Sequence, residues 1–297
     1  MAVLLALLAA SAFACGSVLQ QKGTLEAPAG DDDPRFLVQI LKRPVWLAGG
    51  GLQAAGWVLQ AAALDRGSVV VVQSLTATSL VIALPLGARI TNQQMSRRVV
   101  IGAVAIIVGI VFFLSVGSPQ KGTSHPPPAA WWAAGITGAA IVIILARLGR
   151  RHSGASKALL FGSAAGVGFA LQATVTKEFM TIVGSGLETL FASWEIYALI
   201  GTAVVGFVLQ QSALKTGILA PAMASSNAVT LFASVVLGIT VFGEKLSNGT
   251  DRLAPAFIGL AVALAGVVLL AGTKPPQASE PVPFTAPISP SDPHPHK

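Results

Sequence analysis

The sequence predicts an all-α membrane protein of about nine transmembrane helices in two inverted repeats, with residues 179–193 as the candidate for a tenth. Three observations predict it. First, 53% of the residues are hydrophobic, 10% are charged, and mean hydropathy is +0.72; a soluble domain carries roughly 25% charged residues. Second, the charges gather between apolar stretches of about twenty residues, the length a helix needs to cross a bilayer core. These stretches lack the two-residue alternation of a barrel strand. Third, the pentad Gly-x-x-Leu-Gln occurs four times, at 16–20, 56–60, 168–172 and 206–210, two copies in each half of the chain.

The spans run roughly over 3–20, 45–63, 68–88, 99–116, 129–148, 157–176, 195–213, 218–242 and 253–272. The first has no Lys or Arg ahead of its apolar run and contains a pentad, so it reads as a span rather than a signal peptide. The third carries Pro85, and the eighth carries Pro221 one turn in, where a proline frees a backbone carbonyl. The sixth contains Gly162-x-x-x-Gly166, a close-packing motif. Residues 179–193 are short and hold Gly184, Gly186 and Glu188, which suits an interfacial or re-entrant piece better than a span. Five tryptophans mostly mark the membrane interfaces. The lone Cys15 has no internal partner for a disulfide.

The second and fourth pentads belong to a longer match, residues 56–67 with 206–217. Spans one to four therefore correspond to spans six to nine, and span five links them. Span one and span six start on opposite sides, so the halves are inverted. The organisation is a first repeat at 3–116, a linker with span five at 117–156, a second repeat at 157–272, and a tail at 273–297. That tail holds eight of the 18 prolines and is expected to be disordered and cytoplasmic. Arg66, Lys121, Lys177, Lys245 and Arg252 lie on the N-terminal side and the other Lys and Arg residues on the opposite one. The N-terminus should then face outward and the C-terminus the cytoplasm, in the plasma membrane.

Several function classes fall away. The net charge of +7 sits mostly at helix ends, where it anchors topology, so no nucleic-acid partner is expected. There is no Walker loop, no His-Glu-x-x-His, no nucleophile elbow and no cysteine pair, which speaks against an enzyme and against cofactors. Asp31, Asp32 and Asp33, or His294 and His296, could touch a cation, but solvated loops and tails usually look like this, and no metal site is expected.

What accumulates inside the spans is polar and uncharged. Near the midplane lie Gln53, Gln73, Thr76, Ser79, Ser226, Asn227 and Thr230, the candidate substrate-binding residues. Buried amides without partners cost a few kcal/mol, so these groups should face each other or a wet cavity; helix–helix hydrogen bonding explains them as readily. The pentad glutamines Gln20 and Gln210 should lie near one face and Gln60 and Gln172 near the other, as two gates would, or as ordinary helix ends would. Glu195 and Glu178 are the candidates for coupling to a proton or other cation, although both are within reach of interfacial water.

Ala220-Pro221, then Val241-Phe-Gly-Glu244-Lys-Leu-Ser247, then Ile258-Gly259 to Gly266 resemble the end of an EamA-type repeat of the drug/metabolite transporter superfamily. Gly16-Ser-Val-Leu-Gln-Gln-Lys-Gly23 and Arg43-Pro-Val-Trp46 are similar to its NIPA-like branch. The resemblance covers roughly residues 3–272 and implies an ATP-independent carrier that rocks inverted repeats. It also implies magnesium for NIPA-like members, yet the acidic residue of their second helix falls at Trp57 here, and Gln93 stands where the second half has Glu244. The expected function is a secondary transporter of a small organic metabolite or drug-like solute. The alternatives are a Mg²⁺ or divalent-cation permease and a non-transporting membrane scaffold. The expected partners are the lipid bilayer and a small-molecule solute, with coupling to H⁺ or another cation and a homodimer both compatible with the sequence.

Overall fold

A computed structural model describes residues 1–25, 41–90, 97–120, 122–123, 126–184, 186–216, 219–246 and 253–271. Asp31–Asp33, Gln93 and the tail at 273–297 lie outside the described residues. The described chain is helical throughout, apart from its turns and one isolated bridge. The helices are α1 (Ala2–Leu25), α2 (Pro44–Arg66), α3 (Val69–Thr76), α4 (Ser79–Ile90), α5 (Arg97–Gly117), α6 (Pro128–Arg150), α7 (Gly154–Ile182), α8 (Leu187–Ala192), α9 (Trp194–Leu214), α10 (Leu219–Thr240) and α11 (Leu253–Ala271).

Among the described residues, seven spans are long and apolar enough to cross a membrane: α1, α3 with α4, α5, α6, α7, α9 and α10. α2 has the length, but three successive glycines, two glutamines and its terminal Asp65-Arg66 hold its hydropathy down. In α11 the apolar stretch is the shorter Ala254–Gly266.

Three elements differ from the sequence expectation. The third span is broken in two at Ala77-Thr78, where the Thr78 N–H closes a tighter turn onto the Leu75 carbonyl (3.1 Å) and the Thr78 hydroxyl donates to the same oxygen (2.6 Å). α7 runs 29 residues, past Lys177 and Glu178 to Ile182, and so absorbs the start of the supposed tenth span. The chain then turns at Gly184 and Gly186, both at positive φ, into α8, whose six residues are too short to span a bilayer. Pro221 falls in the first turn of α10, where the N–H would lack an intrahelical partner anyway, so it frees no carbonyl. Trp46, in the first turn of α2, is buried and packed on Gly23 of α1.

In lipid, helices associate through close packing more than through hydrophobic burial, and small residues set the contacts here. α1 lies on α2, α7 on α9 and on α10, and α5 on α11. A Cβ on Gly168 would lie 3.0 Å from Gly206 Cα, and one on Gly259 would lie 2.6 Å from the Phe113 backbone nitrogen. α7 is the hub and is buried along most of its length, whereas α6 buries only Gly138 and Gly149. Leu80, Ile106, Phe113, Leu231 and Val235 join α4, α5 and α10 in the largest core cluster.

One face is closed by a buried carboxylate. Glu244, in the turn after α10, accepts from the first two N–H groups of α3: Val69 to Oε1 at 2.7 Å and Val70 to Oε2 at 3.0 Å. These are orphan donors of a helix start, where negative charge is favourable. Lys177 Nζ completes the site 2.6 Å from Oε1 and lies 4.3 Å from the Phe242 ring centroid. The Glu244 side chain is 0% exposed and that of Lys177 13%. Gly238 leaves the room: a Cβ there would approach Glu244 Oε2 to 2.7 Å. The same turn is tied to the end of α5 by Gln120 N–H to the Lys245 carbonyl (3.0 Å) and Thr123 N–H to the Phe242 carbonyl (2.7 Å). Trp131 packs edge-on against both Trp194 and Phe242. The start of α3 and the ends of α5, α7 and α10 thus meet at one face.

Glu244→Gln should lower stability by about 3–5 kcal/mol in detergent unfolding, because it leaves the mostly buried Lys177 ammonium uncompensated and sets an amide NH2 against one of the two helix-start donors. Adding Lys177→Met should recover part of that loss. Strictly additive losses in the double variant would refute the coupling.

Candidate functional site

Between α1, α2, α3, α4, α7, α9 and α10 lies a cavity with a solvent-accessible volume of about 130 Å³. Its lining gathers all seven polar residues expected near the midplane: Gln53, Gln73, Thr76, Ser79, Ser226, Asn227 and Thr230. It also gathers the four pentad glutamines, Gln20, Gln60, Gln172 and Gln210. The sequence placed these at two faces; all four line one cavity. The cause is the helix pairing. Each pentad glycine lets its helix lie close on a neighbour, and the glutamine one turn later is turned inward. The register is not identical in the two halves: Gly16 meets Gly49 and Gln53, whereas Gly168 meets Thr202 and Gly206, about one turn further along.

The break in the third span matters to the site. α3 presents Gln73 and Thr76, the turn redirects the chain, and Ser79 opens α4 on the same cavity. Thr76 donates to Gln73 Oε1 at 3.0 Å, and Gln53 Nε2 donates to Ser17 Oγ at 3.0 Å. Across the cavity, Asn227 Nδ2 donates to the Met223 carbonyl at 2.9 Å, and Thr230 donates to the Gly166 carbonyl at 3.2 Å. Gln210 Nε2 has only the weak acceptor Met223 Sδ, at 3.3 Å. Among the lining residues, two buried groups make no hydrogen bond: the donor Gln73 Nε2 and the acceptor Gln210 Oε1. Buried polar atoms in that condition call for an explanation, and a polar guest is one.

Sequence reasoning missed the apolar part of the lining. Phe13, Trp57, Phe169, Phe207, Leu214 and Met223 share it. Phe13 and Phe169 had no signal, because a phenylalanine in an apolar helix looks the same facing lipid or cavity. No lining residue carries a charge. Glu195 is half-buried in the first turn of α9 and Glu178 is buried on α7; neither lines the cavity. Among the described residues no three His, Cys, Asp or Glu side chains come together. The lining extends from Gln60, Gln73 and Gln172 to Gln20, Leu214 and Met223, the last three near the ends of α1 and α9 and the start of α10.

The chain is 30% identical over 278 residues to an uncharacterized protein of Corynebacterium glutamicum, covering 92% of this chain and 95% of that one. It belongs to that protein's family. It is also 24% identical over 265 residues to a probable magnesium transporter, NIPA9, of Arabidopsis thaliana, covering 86% of this chain and 77% of that one. No family model matches the sequence. No solved structure matches it either.

In a Cys15→Ser background, Gln211→Cys and Asn227→Cys should react with a membrane-impermeant thiol reagent. Ser234→Cys, fully buried away from the cavity, should react at least roughly ten-fold more slowly, since the thiolate forms only where water reaches. Equal rates at all three positions would show that water does not enter selectively through the cavity.

Proposed function

We propose that the protein is a secondary, ATP-independent membrane transporter of the drug/metabolite type that carries a small, uncharged, polar organic solute by alternating access. The observation that carries this reading is the lining itself: amides and hydroxyls with aromatic side chains, and no charged group. Such a surface can hydrogen-bond and stack a neutral solute, and it offers an ion no opposite charge to offset its desolvation. The unspent donor of Gln73 and acceptor of Gln210 are the points where the solute would be held.

In this reading the fold has nine spans in two inverted repeats, 3–116 and 157–272, joined by span five at 117–156. The pentad pairing of α1 with α2 and of α7 with α9 supports it, as does the symmetric contact of α5 with α11. The N-terminus faces outward, so the Glu244 cluster closes the outer face and the cavity opens toward the cytoplasm. Gln20 and Gln210 stand on its inner side and Gln60 and Gln172 on its outer side as gate residues. Glu195 and Glu178 stay the coupling candidates, acting from outside the cavity wall.

A second reading has a specific observation in its favour. The Arabidopsis relative is named a probable magnesium transporter, and the present chain could be a divalent-cation permease. Mg²⁺ gives up its waters reluctantly and is usually held by one or two carboxylates. Here it would have to pass as a hydrated ion among amide and hydroxyl oxygens.

Proteoliposome uptake separates the two. Gln73→Leu and Asn227→Leu should each lower uptake of a neutral solute at least about ten-fold, the worth of one lost hydrogen-bonding group, with the unfolding temperature within a few degrees of the parent. Full uptake in both variants would refute the site; uptake of Mg²⁺ alone would establish the second reading.

A further inference from the structure

The four aromatic side chains lining the cavity form two matching pairs, one in each half of the chain. In the first half, Phe13 of α1 lies on the pentad glycine Gly56 of α2, where a Cβ would stand 2.6 Å from its Cδ1 and Cε1. In the second half, Phe169 of α7 lies on the pentad glycine Gly206 of α9, where a Cβ would stand 2.9 Å from the same two atoms. Trp57 and Phe207, the residues that follow those glycines, complete the pairs. Each of the four is only partly buried, so ring surface is left uncovered by protein.

Helix packing explains why a ring edge rests on a glycine. It does not explain the match between the halves. Phe13 precedes its pentad glycine Gly16 by three residues, whereas Phe169 follows Gly168 by one. The two positions differ by about one helical turn, and so do the registers in which α1 meets α2 and α7 meets α9. The position equivalent to Phe169 holds Ser17, and the one equivalent to Phe13 holds Ala165. Repetition of the sequence therefore does not supply these rings. Each half reaches the same placement from a different residue.

An aromatic face gains most from a planar conjugated partner. The polar atoms beside the rings narrow the choice. Among the described residues, Gln73 Nε2 on α3 has no acceptor and Gln210 Oε1 on α9 has no donor, and both side chains are buried. A guest that satisfies both carries a C=O and an N–H, which a single ring amide supplies. The accessible volume of about 130 Å³ is room for one six-membered ring, since an apolar cavity of about 150 Å³ holds benzene. We infer that the solute is a neutral, planar, single-ring heterocycle with a conjugated amide, stacked by Phe13 and Phe169 and hydrogen-bonded by Gln73 and Gln210. This rests on the uncharged solute site proposed above.

Ligands that differ only in ring saturation isolate the stacking. With the full chain in mild detergent at neutral pH, ligand-observed NMR titration gives dissociation constants for uracil against dihydrouracil and for 2-pyridone against 2-piperidone. Each planar compound should bind at least about five-fold more tightly than its saturated partner, the low end for one stacked ring. Hypoxanthine, which fuses a second ring to the same amide, should bind more weakly than uracil; tighter binding would overturn the single-ring limit. Phe13→Leu and Phe169→Leu should each lower the planar-to-saturated ratio. Phe13→Tyr, which keeps a ring, should preserve it, as should Phe257→Leu on the exposed side of α11. An unchanged ratio in both Leu variants would overturn the assignment of the rings. Equal binding within both pairs of the parent protein, or no binding of either planar compound while another neutral solute binds, would overturn the inference and leave the neutral-solute site standing. Binding of Mg²⁺ and of no neutral compound would overturn both.

Discussion

The architecture depends on one carboxylate. Glu244 is buried where the start of α3, the end of α7 and the turn after α10 meet, and each of its oxygens is engaged. An eight-residue helix such as α3 has too few internal bonds to stand alone. Glu244 and the Ser68 cap, whose hydroxyl accepts from the Val71 N–H, fix its start, and so fix where Gln73 and Thr76 enter the cavity. The same residue joins the two halves of the chain, since α3 belongs to the first and Lys177 and Glu244 to the second. A buried ion pair of this kind is a weak source of net stability but an effective source of register, because breaking it leaves a charge uncompensated.

The two ends of the cavity are built from different chemistry. Beyond Gln73 and Gln172 the protein is shut by the ion pair, the Trp131–Trp194–Phe242 stack and the backbone tie between residues 120–123 and 242–245. Toward Gln20, Gln211 and Leu214 it is bounded by amides with Leu214 and Met223. For the proposed carrier these closures differ in kind. Opening the first requires separating Lys177 from Glu244 in a low-dielectric setting; opening the second requires only that weak polar contacts exchange for water. In that reading the carrier is closed at one face and polar at the other, with the proposed solute site between them.

Much of this was legible in the sequence. Apolar runs located the long helices to within a few residues, because a bilayer-length segment has few other uses. Glutamine and asparagine in such runs pointed to the cavity lining, since an amide in that setting needs a polar neighbour. What stayed hidden depends on distant partners. The break at Ala77-Thr78 has neither Gly nor Pro to mark it; it is closed by the Thr78 amide and hydroxyl on the Leu75 carbonyl. Lys177 and Glu178 look like the end of a span, yet α7 continues through them because Lys177 is neutralised by Glu244 in the turn after α10. Glu244 itself resembles an interfacial loop residue until the chain is folded. The inward turn of Phe13, Phe169 and Phe207 also depends on helix rotation that hydropathy does not encode.

The central claim is that the uncharged cavity binds a neutral polar solute. The most direct measurement is the thermal unfolding of the purified protein in detergent against Mg²⁺ and a panel of amino acids, sugars, nucleosides and cationic drugs. A ligand at 100 times its dissociation constant adds about 2.7 kcal/mol, a readily measured shift. The account predicts stabilisation by one class of uncharged polar compound and loss of that shift in Gln73→Leu. Stabilisation by Mg²⁺ alone, unaffected by Gln73→Leu, would contradict it.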